Sequence, residues 1–208
     1  MKKWRWLPLL LLCAGALALW PCREALTAER IAARSPQQAW LAAAFLLALY
    51  GVKSLSVAFP LSALEAAGGM LFPFPAALAV NLCGVAVAQT VPYLLGRRER
   101  GGLAALVEGH PRLSALRGAG GTRPGRTVFL LRLAGASPGD MVSMYLGAAG
   151  VSWRAYLTGG LLGSLPRVVS ATLLGAALWD VGGPRFWLSM GVGAALTALS
   201  LALWKAWR

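Results

Sequence analysis

The sequence predicts an all-α polytopic membrane protein, and three observations support this class. The chain of 208 residues is 58% hydrophobic and only 13% charged, whereas soluble domains carry about 25% charged residues. Long apolar runs alternate with short basic segments, as in chains that cross a bilayer several times. Basic clusters border these runs: "KKWR" near the N-terminus, seven arginines against two glutamates in residues 97–126, and "KAWR" at the C-terminus. Such clusters are typical of cytoplasmic loops, so the net charge of +13 does not indicate a nucleic acid partner.

The first apolar run, Leu7–Trp20, is predicted to be an uncleaved transmembrane helix. A cleaved signal peptide is the alternative, but "WPCRE" follows the run without a small-x-small cleavage site. The chain then divides into an N-terminal helix with an outer segment (1–36), a membrane domain (37–180) and a C-terminal transmembrane helix (181–208).

An internal repeat is indicated within the membrane domain, at about 39–96 and 117–175. A shift of 78 or 79 positions aligns landmarks in the same order in both halves. The aligned pairs are Lys53 with Arg132, Pro60 with Pro138, Gly69 with Gly147, Gly84 with Gly163, and "LLG" at 94–96 with "LLG" at 173–175.

Each repeat is predicted to form a helical hairpin followed by a full crossing. Proline lacks a backbone donor and suits a hairpin tip, which places the tips at Pro60 and at Pro138-Gly139. The returning arms, 61–72 and 140–149, are too short to cross about 30 Å of hydrocarbon at about 1.5 Å per residue. A plain bundle of six or seven proline-kinked helices is the alternative. The predicted segments are 39–58, 61–72 and 76–96 in the first repeat, 127–137, 140–149 and 152–178 in the second, and a last span at 186–204.

Charge counting orients these segments. With both termini cytoplasmic, every strongly basic segment lies inside the cell, including the loop 97–126 that joins the repeats. The two hairpins then enter from opposite faces, which makes the repeats inverted. Inverted repeats with broken helices are a recurrent transporter plan, with the binding site at the repeat interface. We therefore expect a multi-pass protein of the cell inner (plasma) membrane.

Four charged residues lie within eight positions of a predicted tip: Lys53, Glu65, Arg132 and Asp140. Unpaired at the bilayer centre, they would together cost on the order of 10 kcal/mol. They are therefore expected to pair or to line a polar cavity, where non-helical backbone is tolerated.

Two uses of such a cavity remain open. In the functional interpretation, Arg132 and Lys53 bind an anionic headgroup, and Asp140 or Glu65 holds the cations when the cavity is empty. In the structural interpretation, Arg132 and Asp140 form a buried ion pair that only locks the hairpin, and Lys53 extends to the interface. Arg167 follows Pro166 where "GSLPR" is expected to break the helix again, and it either lines the same path or points outward.

Other chemistries find little support. Three cysteines have no metal-like spacing and there is one histidine, so neither a metal site nor a cofactor is predicted. Ser137 and Ser164 have no histidine to activate them, so no enzyme is expected. Gly159, Gly160 and Gly163 are interpreted as a packing face.

The stretch "VFLLRLAGASPGDMVSMYLGAAGVSWRAYLTGGLLGSLP" (128–166) resembles the second motif of the SNARE-associated Golgi protein family, the VTT-domain branch of the DedA superfamily. The matching positions are Arg132, Pro138, Asp140, Tyr145, Gly147, Trp153, Tyr156, Gly163 and Pro166. "FPLSALEAAGGMLF" (59–72) resembles the family's first motif, and the resemblance covers about 39–178. It implies two opposed re-entrant hairpins and an activity in lipid scrambling or polyprenyl-phosphate recycling.

Two departures from the better-studied branch argue against transferring a proton-coupled mechanism. The acidic residue that this branch has directly after the proline-glycine of its first motif is replaced by Leu61 or Ser62, and Glu65 comes a turn later. The second arginine of the second motif is absent, with Pro138-Gly139-Asp140 in its place.

The sequence thus predicts a lipid translocator for anionic phospholipid or polyprenyl phosphate, whose headgroup passes a polar mid-membrane cavity. A non-transporting membrane scaffold is the alternative. Membrane lipids are the expected partners, and a homo-oligomer remains open.

Overall fold

The computed structural model describes residues 27–55, 60–98, 123–134, 139–180 and 182–206, and every regular element in these ranges is a helix. The helices are α1 (Ala28–Ala33), α2 (Ala39–Ser54), α3 (Leu61–Leu71), α4 (Phe74–Arg98), α5 (Pro124–Ala134), α6 (Gly139–Ala148), α7 (Trp153–Ala177) and α8 (Pro184–Ala206), with a short 3₁₀ turn at Leu178–Asp180. The predictions for the first apolar run, for most of the basic loop and for Pro138 lie outside the described residues.

Proline and glycine set the helix ends where the sequence predicts them. Pro60 is the N-cap of α3, and Phe72 in an extended conformation ends that helix before Pro73. Helix α6 ends at a turn in which Gly150 has φ 75° and the Val151 N–H donates to the Leu146 carbonyl (3.1 Å). Glycine is favoured there because a side chain strains this left-handed conformation.

The predicted break at Pro166 is wrong. Helix α7 continues through Pro166 from Trp153 to Ala177, and α4 likewise contains Pro92. A proline removes one hydrogen bond of the helical ladder, and neighbouring helices and hydroxyls can compensate for that loss in a membrane protein. Here α3, α4, α5 and α8 all pack against α7.

Helices α4 and α7 are long and apolar enough to cross a membrane. Each has 25 residues, or roughly 37 Å of helix against about 30 Å of hydrocarbon. Helices α3 and α6 have 11 and 10 residues, and at about 1.5 Å per residue neither is long enough to span. The long helices α4 and α7 can therefore cross a membrane, whereas the short helices α3 and α6 cannot.

Two apolar clusters form the core, and each combines a short helix with both long ones. The first includes Tyr50, Leu64, Val85 and Val168, from α2, α3, α4 and α7. The second includes Val128, Leu146 and the buried rings of Tyr93 and Tyr156, from α5, α6, α4 and α7. The Tyr93 and Tyr156 rings stack with centroids 4.4 Å apart.

Glycines allow the short helices to touch the long ones backbone to backbone. On α3, Gly69 lies against the Thr172 carbonyl of α7, and Gly175 of α7 lies against the Ala66 carbonyl of α3. A methyl group at either glycine would overlap the facing carbonyl.

Helices α6 and α4 make the corresponding contacts. Gly147 of α6 lies against the Tyr93 carbonyl of α4, and Gly96 of α4 lies against the Met144 carbonyl of α6. Each of the two short helices therefore packs on a long helix through a pair of glycine contacts.

Candidate functional site

Lys53 and Asp140 form an ion pair between the two halves of the domain. Lys53 lies in the last turn of α2, and its ammonium Nζ donates to Oδ2 of Asp140, in the first turn of α6, at 2.6 Å. Both side chains are buried, with 7% and 12% of their surface exposed. Each charge also lies at the favourable end of its helix dipole. The ion pair expected between Arg132 and Asp140 is therefore not the one that forms.

Glu65 and Arg167 form a second pair, between α3 and α7. The Arg167 Nη1 donates to both carboxylate oxygens of Glu65 at 2.6 Å. The Glu65 side chain is fully buried, whereas 45% of the Arg167 side chain is exposed. Glu65 thus contacts Arg167 rather than Lys53 or Arg132, and the Arg167 head group extends from this contact toward the surface.

Arg132 is held by neutral oxygens. Its Nη1 donates to the Gly139 carbonyl (3.1 Å), and its Nη2 donates to the hydroxyls of Ser143 (2.6 Å) and Tyr156 (3.1 Å). The Tyr156 hydroxyl in turn donates to the Gln89 carbonyl on α4 (3.0 Å). Among the described residues no carboxylate pairs with Arg132, so its positive charge is uncompensated within that part of the chain.

The Arg132 site and the Lys53–Asp140 pair are neighbours because both involve the start of α6. Gly139, which begins α6, offers its carbonyl to Arg132, and Asp140 is the next residue. A side chain at Gly139 would also press on the guanidinium, since an added Cβ would lie 2.6 Å from Arg132 Nη1. Arg132 and Asp140 therefore lie close together beside Gly139, at the start of α6. Lys53 of α2 contacts the same place through Asp140.

A polar network without charges connects α2, α3, α4 and α7. Buried Asn81 accepts from the Tyr50 hydroxyl (3.1 Å) and donates to the Glu65 carbonyl (2.8 Å) and the Thr172 hydroxyl (2.9 Å). Gln89 of α4 also bonds between helices, since its side-chain amide donates to the Ser164 hydroxyl of α7 (3.4 Å). This network positions the helix that carries Glu65.

Two site residues, Ser143 and Tyr156, are not recognisable from charge alone. Ser143 lies 78 positions after Glu65, so under the predicted repeat it is the equivalent of Glu65 in α6. Tyr156 belongs to the aromatic part of the motif quoted above, but the sequence does not show that it reaches Arg132. Pro60 caps α3 and makes no side-chain contribution to the site.

The predicted glycine face of α7 is observed as close packing. Gly159 lies against the Gly125 carbonyl, and Gly163 lies against the Phe129 carbonyl and the Arg132 Cβ. Gly160 lies against the side-chain oxygen of Gln89. These contacts let α5 approach α7 closely enough for Arg132 to reach Tyr156. Within the described ranges no group of three potential metal ligands occurs.

The fold and the site together define a helical membrane protein in which two short helices and two long helices enclose buried charges. The family model described as the VTT domain matches residues 59–177, which is more than half of the chain. The chain therefore belongs to the SNARE-associated, VTT-domain family of the DedA superfamily, as the resemblance predicted. The matched region runs from α3 through α7 and includes Arg132 and Asp140. No curated protein and no solved structure matches the chain.

Proposed function

We propose that this protein translocates anionic lipids, either phospholipids or polyprenyl phosphates, between the leaflets of the membrane. The observation that carries the proposal is the partly buried guanidinium of Arg132, which among the described residues is held by neutral oxygens. Lys53 and Arg167 are each neutralised by a carboxylate. Among the described residues, the site therefore has one cation in excess, and a headgroup with one negative charge balances it.

Arginine suits this role because its planar guanidinium binds two phosphate oxygens at once. The Ser143 and Tyr156 hydroxyls that now accept from Arg132 are neutral, so a phosphate oxygen replaces them with a stronger, charge-assisted bond. The lipid tails stay in the bilayer while the headgroup passes between the hairpins.

The proposal includes an inverted repeat, and the glycine contacts support it. In the first half, Gly69 and Ala66 of α3 meet Thr172 and Gly175 of α7. A shift of 78 or 79 positions converts these four residues into Gly147 and Met144 of α6 and Tyr93 and Gly96 of α4, which also meet each other.

The short helix of each half thus packs on the long helix of the other half. Such reciprocal packing is expected of two related halves that face each other, with the binding site at their interface. On this basis α2–α3 and α5–α6 are proposed to be re-entrant hairpins from opposite membrane faces.

We also propose that both termini lie in the cytoplasm of a cell whose inner membrane holds the protein, and exposed tryptophans fit the membrane boundary that this topology gives. Trp40 begins α2, Trp179 follows α7 and Trp187 begins α8, and 69%, 71% and 64% of their surfaces are exposed. In the proposed topology all three lie at the outer boundary of the bilayer, where tryptophan is enriched.

The test is lipid exchange in proteoliposomes that contain the purified protein. Fluorescent phosphatidylglycerol and a short polyprenyl phosphate are compared for the wild type, for Arg132→Gln and for Arg154→Gln, whose arginine is exposed on the same domain. We expect exchange that Arg132→Gln reduces at least about tenfold, since a charge-assisted hydrogen bond contributes about 1.5–3 kcal/mol, and that Arg154→Gln preserves.

Two results would contradict the proposal. No exchange of either lipid above empty liposomes, by protein that elutes as a folded species, contradicts the translocator and favours the scaffold. Exchange that survives Arg132→Gln contradicts the role of Arg132.

A further inference from the structure

Two buried polar atoms beside the candidate site have no hydrogen-bond partner. Over the described residues only three buried side-chain atoms are unpartnered, and two of them are Gln89 Oε1 and Arg132 Nε. Buried polar groups in proteins are nearly always paired, and an unpaired one is costly. One of these atoms is an acceptor and the other is a donor, so together they can bind a ligand that offers both an acceptor and a donor.

The two residues belong to one short chain of hydrogen bonds. The Tyr156 hydroxyl accepts from Arg132 Nη2 (3.1 Å) and donates to the Gln89 backbone carbonyl (3.0 Å). Both residues also border the glycine face of α7: Gln89 Oε1 lies over Gly160, and the Arg132 Cβ lies beside Gly163. Gly160 and Gly163 are three residues apart and lie on the same face of α7, so both side chains border the same stretch of that helix.

The orientation of the Gln89 amide is set by its other end. Its Nε2 donates to the Ser164 hydroxyl at 3.4 Å, one turn of α7 beyond Gly160, which leaves Oε1 as the free end. With only 5% of its surface exposed, Gln89 is shielded from bulk water, so bulk solvent does not supply the missing donor to Oε1.

We propose that the site recognises a hydrogen-bond donor on the headgroup in addition to its negative charge. A phosphate oxygen accepts from Arg132 Nε, and a hydroxyl of the same headgroup donates to Gln89 Oε1. The substrate class is a monoanionic phosphate that carries a hydroxyl, either the alcohol of a phosphodiester headgroup or the P–OH of a protonated phosphomonoester. This inference rests on the proposed function and specifies its substrate.

The experiment compares lipids of equal charge that differ in the hydroxyl. Exchange of phosphatidylglycerol, phosphatidylmethanol and a short polyprenyl phosphate is measured in proteoliposomes with wild type, Gln89→Met and Thr90→Val. Thr90 is a matched control because it is the next residue of α4 and its hydroxyl bonds within that helix, to the Ala86 carbonyl (2.6 Å).

In the wild type, we expect phosphatidylglycerol to exchange about tenfold faster than phosphatidylmethanol, the effect of one hydrogen bond that is lost with its partner left buried. In Gln89→Met the two rates become similar because phosphatidylglycerol slows, whereas Thr90→Val retains the wild-type ratio. Slowing of polyprenyl phosphate by Gln89→Met shows that the P–OH source is also read, and an unchanged rate restricts the class to alcohol headgroups.

Equal exchange of phosphatidylglycerol and phosphatidylmethanol by the wild type overturns the inference while leaving the translocator intact, and this result does not depend on any variant folding. An unchanged preference in folded Gln89→Met overturns it as well. Absence of exchange for all three lipids contradicts the proposed function and, with it, this inference.

Discussion

Lys53 and Asp140 are 87 positions apart in the chain, yet their side chains form a buried ion pair at 2.6 Å. Lys53 lies in the last turn of α2 and Asp140 in the first turn of α6. The pair therefore joins the two halves of the domain close to Arg132. Its position makes Asp140 unavailable to Arg132 and leaves the guanidinium to neutral oxygens. The properties of the candidate site follow from this choice of partner.

The first prediction concerns this pair. Lys53→Met and Asp140→Leu are each expected to lower the free energy of unfolding by about 3–5 kcal/mol, because each leaves one buried charge without its partner. The double variant is expected to be more stable than either single variant, since it removes both charges. Thermal unfolding of the purified proteins measures the three changes. Destabilisation of the double variant by the sum of the single effects would contradict this view of the pair.

The Glu65–Arg167 pair is expected to respond asymmetrically. Arg167→Met leaves a fully buried carboxylate unpaired and is expected to destabilise the protein by about 3–5 kcal/mol. Glu65→Gln replaces the carboxylate by a neutral amide and leaves the charge of Arg167, whose side chain is 45% exposed, close to water. We expect this variant to lose less stability, about 1–3 kcal/mol, because only the bond between Arg167 and its partner is weakened. Thermal unfolding compares the two. Equal effects would show that the exposure of Arg167 does not offset the loss of its partner.

Glycine contacts between the short and long helices give a third prediction. Gly69→Ala and Gly147→Ala both drive a methyl group into a facing backbone carbonyl, and overpacking of this kind costs about 1–3 kcal/mol. Because the two contacts are equivalent under the proposed repeat, we expect effects of similar size.

Gly51→Ala is the control for these substitutions. Gly51 lies in α2 with no atom within 4 Å of an added Cβ, and alanine there is expected to stabilise the helix by about 0.5–1 kcal/mol. Thermal unfolding of the three variants measures the difference. A neutral Gly147→Ala beside a damaging Gly69→Ala would argue against equivalent packing.

Tyr156 gives a fourth prediction, on activity. Tyr156→Phe removes the hydroxyl that bridges Arg132 and the Gln89 carbonyl while retaining the ring that stacks on Tyr93. We expect a folded protein in which exchange of phosphatidylglycerol falls by about threefold to tenfold, as one hydrogen bond of 0.5–1.5 kcal/mol is lost. Thr158→Val, at an exposed hydroxyl of the same helix, is expected to exchange lipid at the wild-type rate. A wild-type rate for Tyr156→Phe would show that the bridge does not position Arg132.

The local signals were strong enough to predict most of the helical segments. Pro60 and Pro138-Gly139 were predicted to be hairpin tips, so short helices were expected at 61–72 and 140–149, and the structure has them at Leu61–Leu71 and Gly139–Ala148. Pro166 was misjudged because its effect depends on what surrounds it. Packing of four helices around α7 favours a continuous helix. That packing cannot be inferred from the local sequence "GSLPR".

By itself, the sequence determined the helical class, the family and the placement of charge near two helix breaks, because apolar runs, proline and glycine act over a few residues. Only the tertiary structure decided which charges meet. Asp140 could pair with Arg132, eight residues away, or with Lys53 in the other half, and the relative rotation of α2, α5 and α6 selects Lys53. The same packing brings Tyr156 and Gln89 to Arg132, since hydrogen bonds between distant residues depend on side-chain positions to within a few tenths of an ångström.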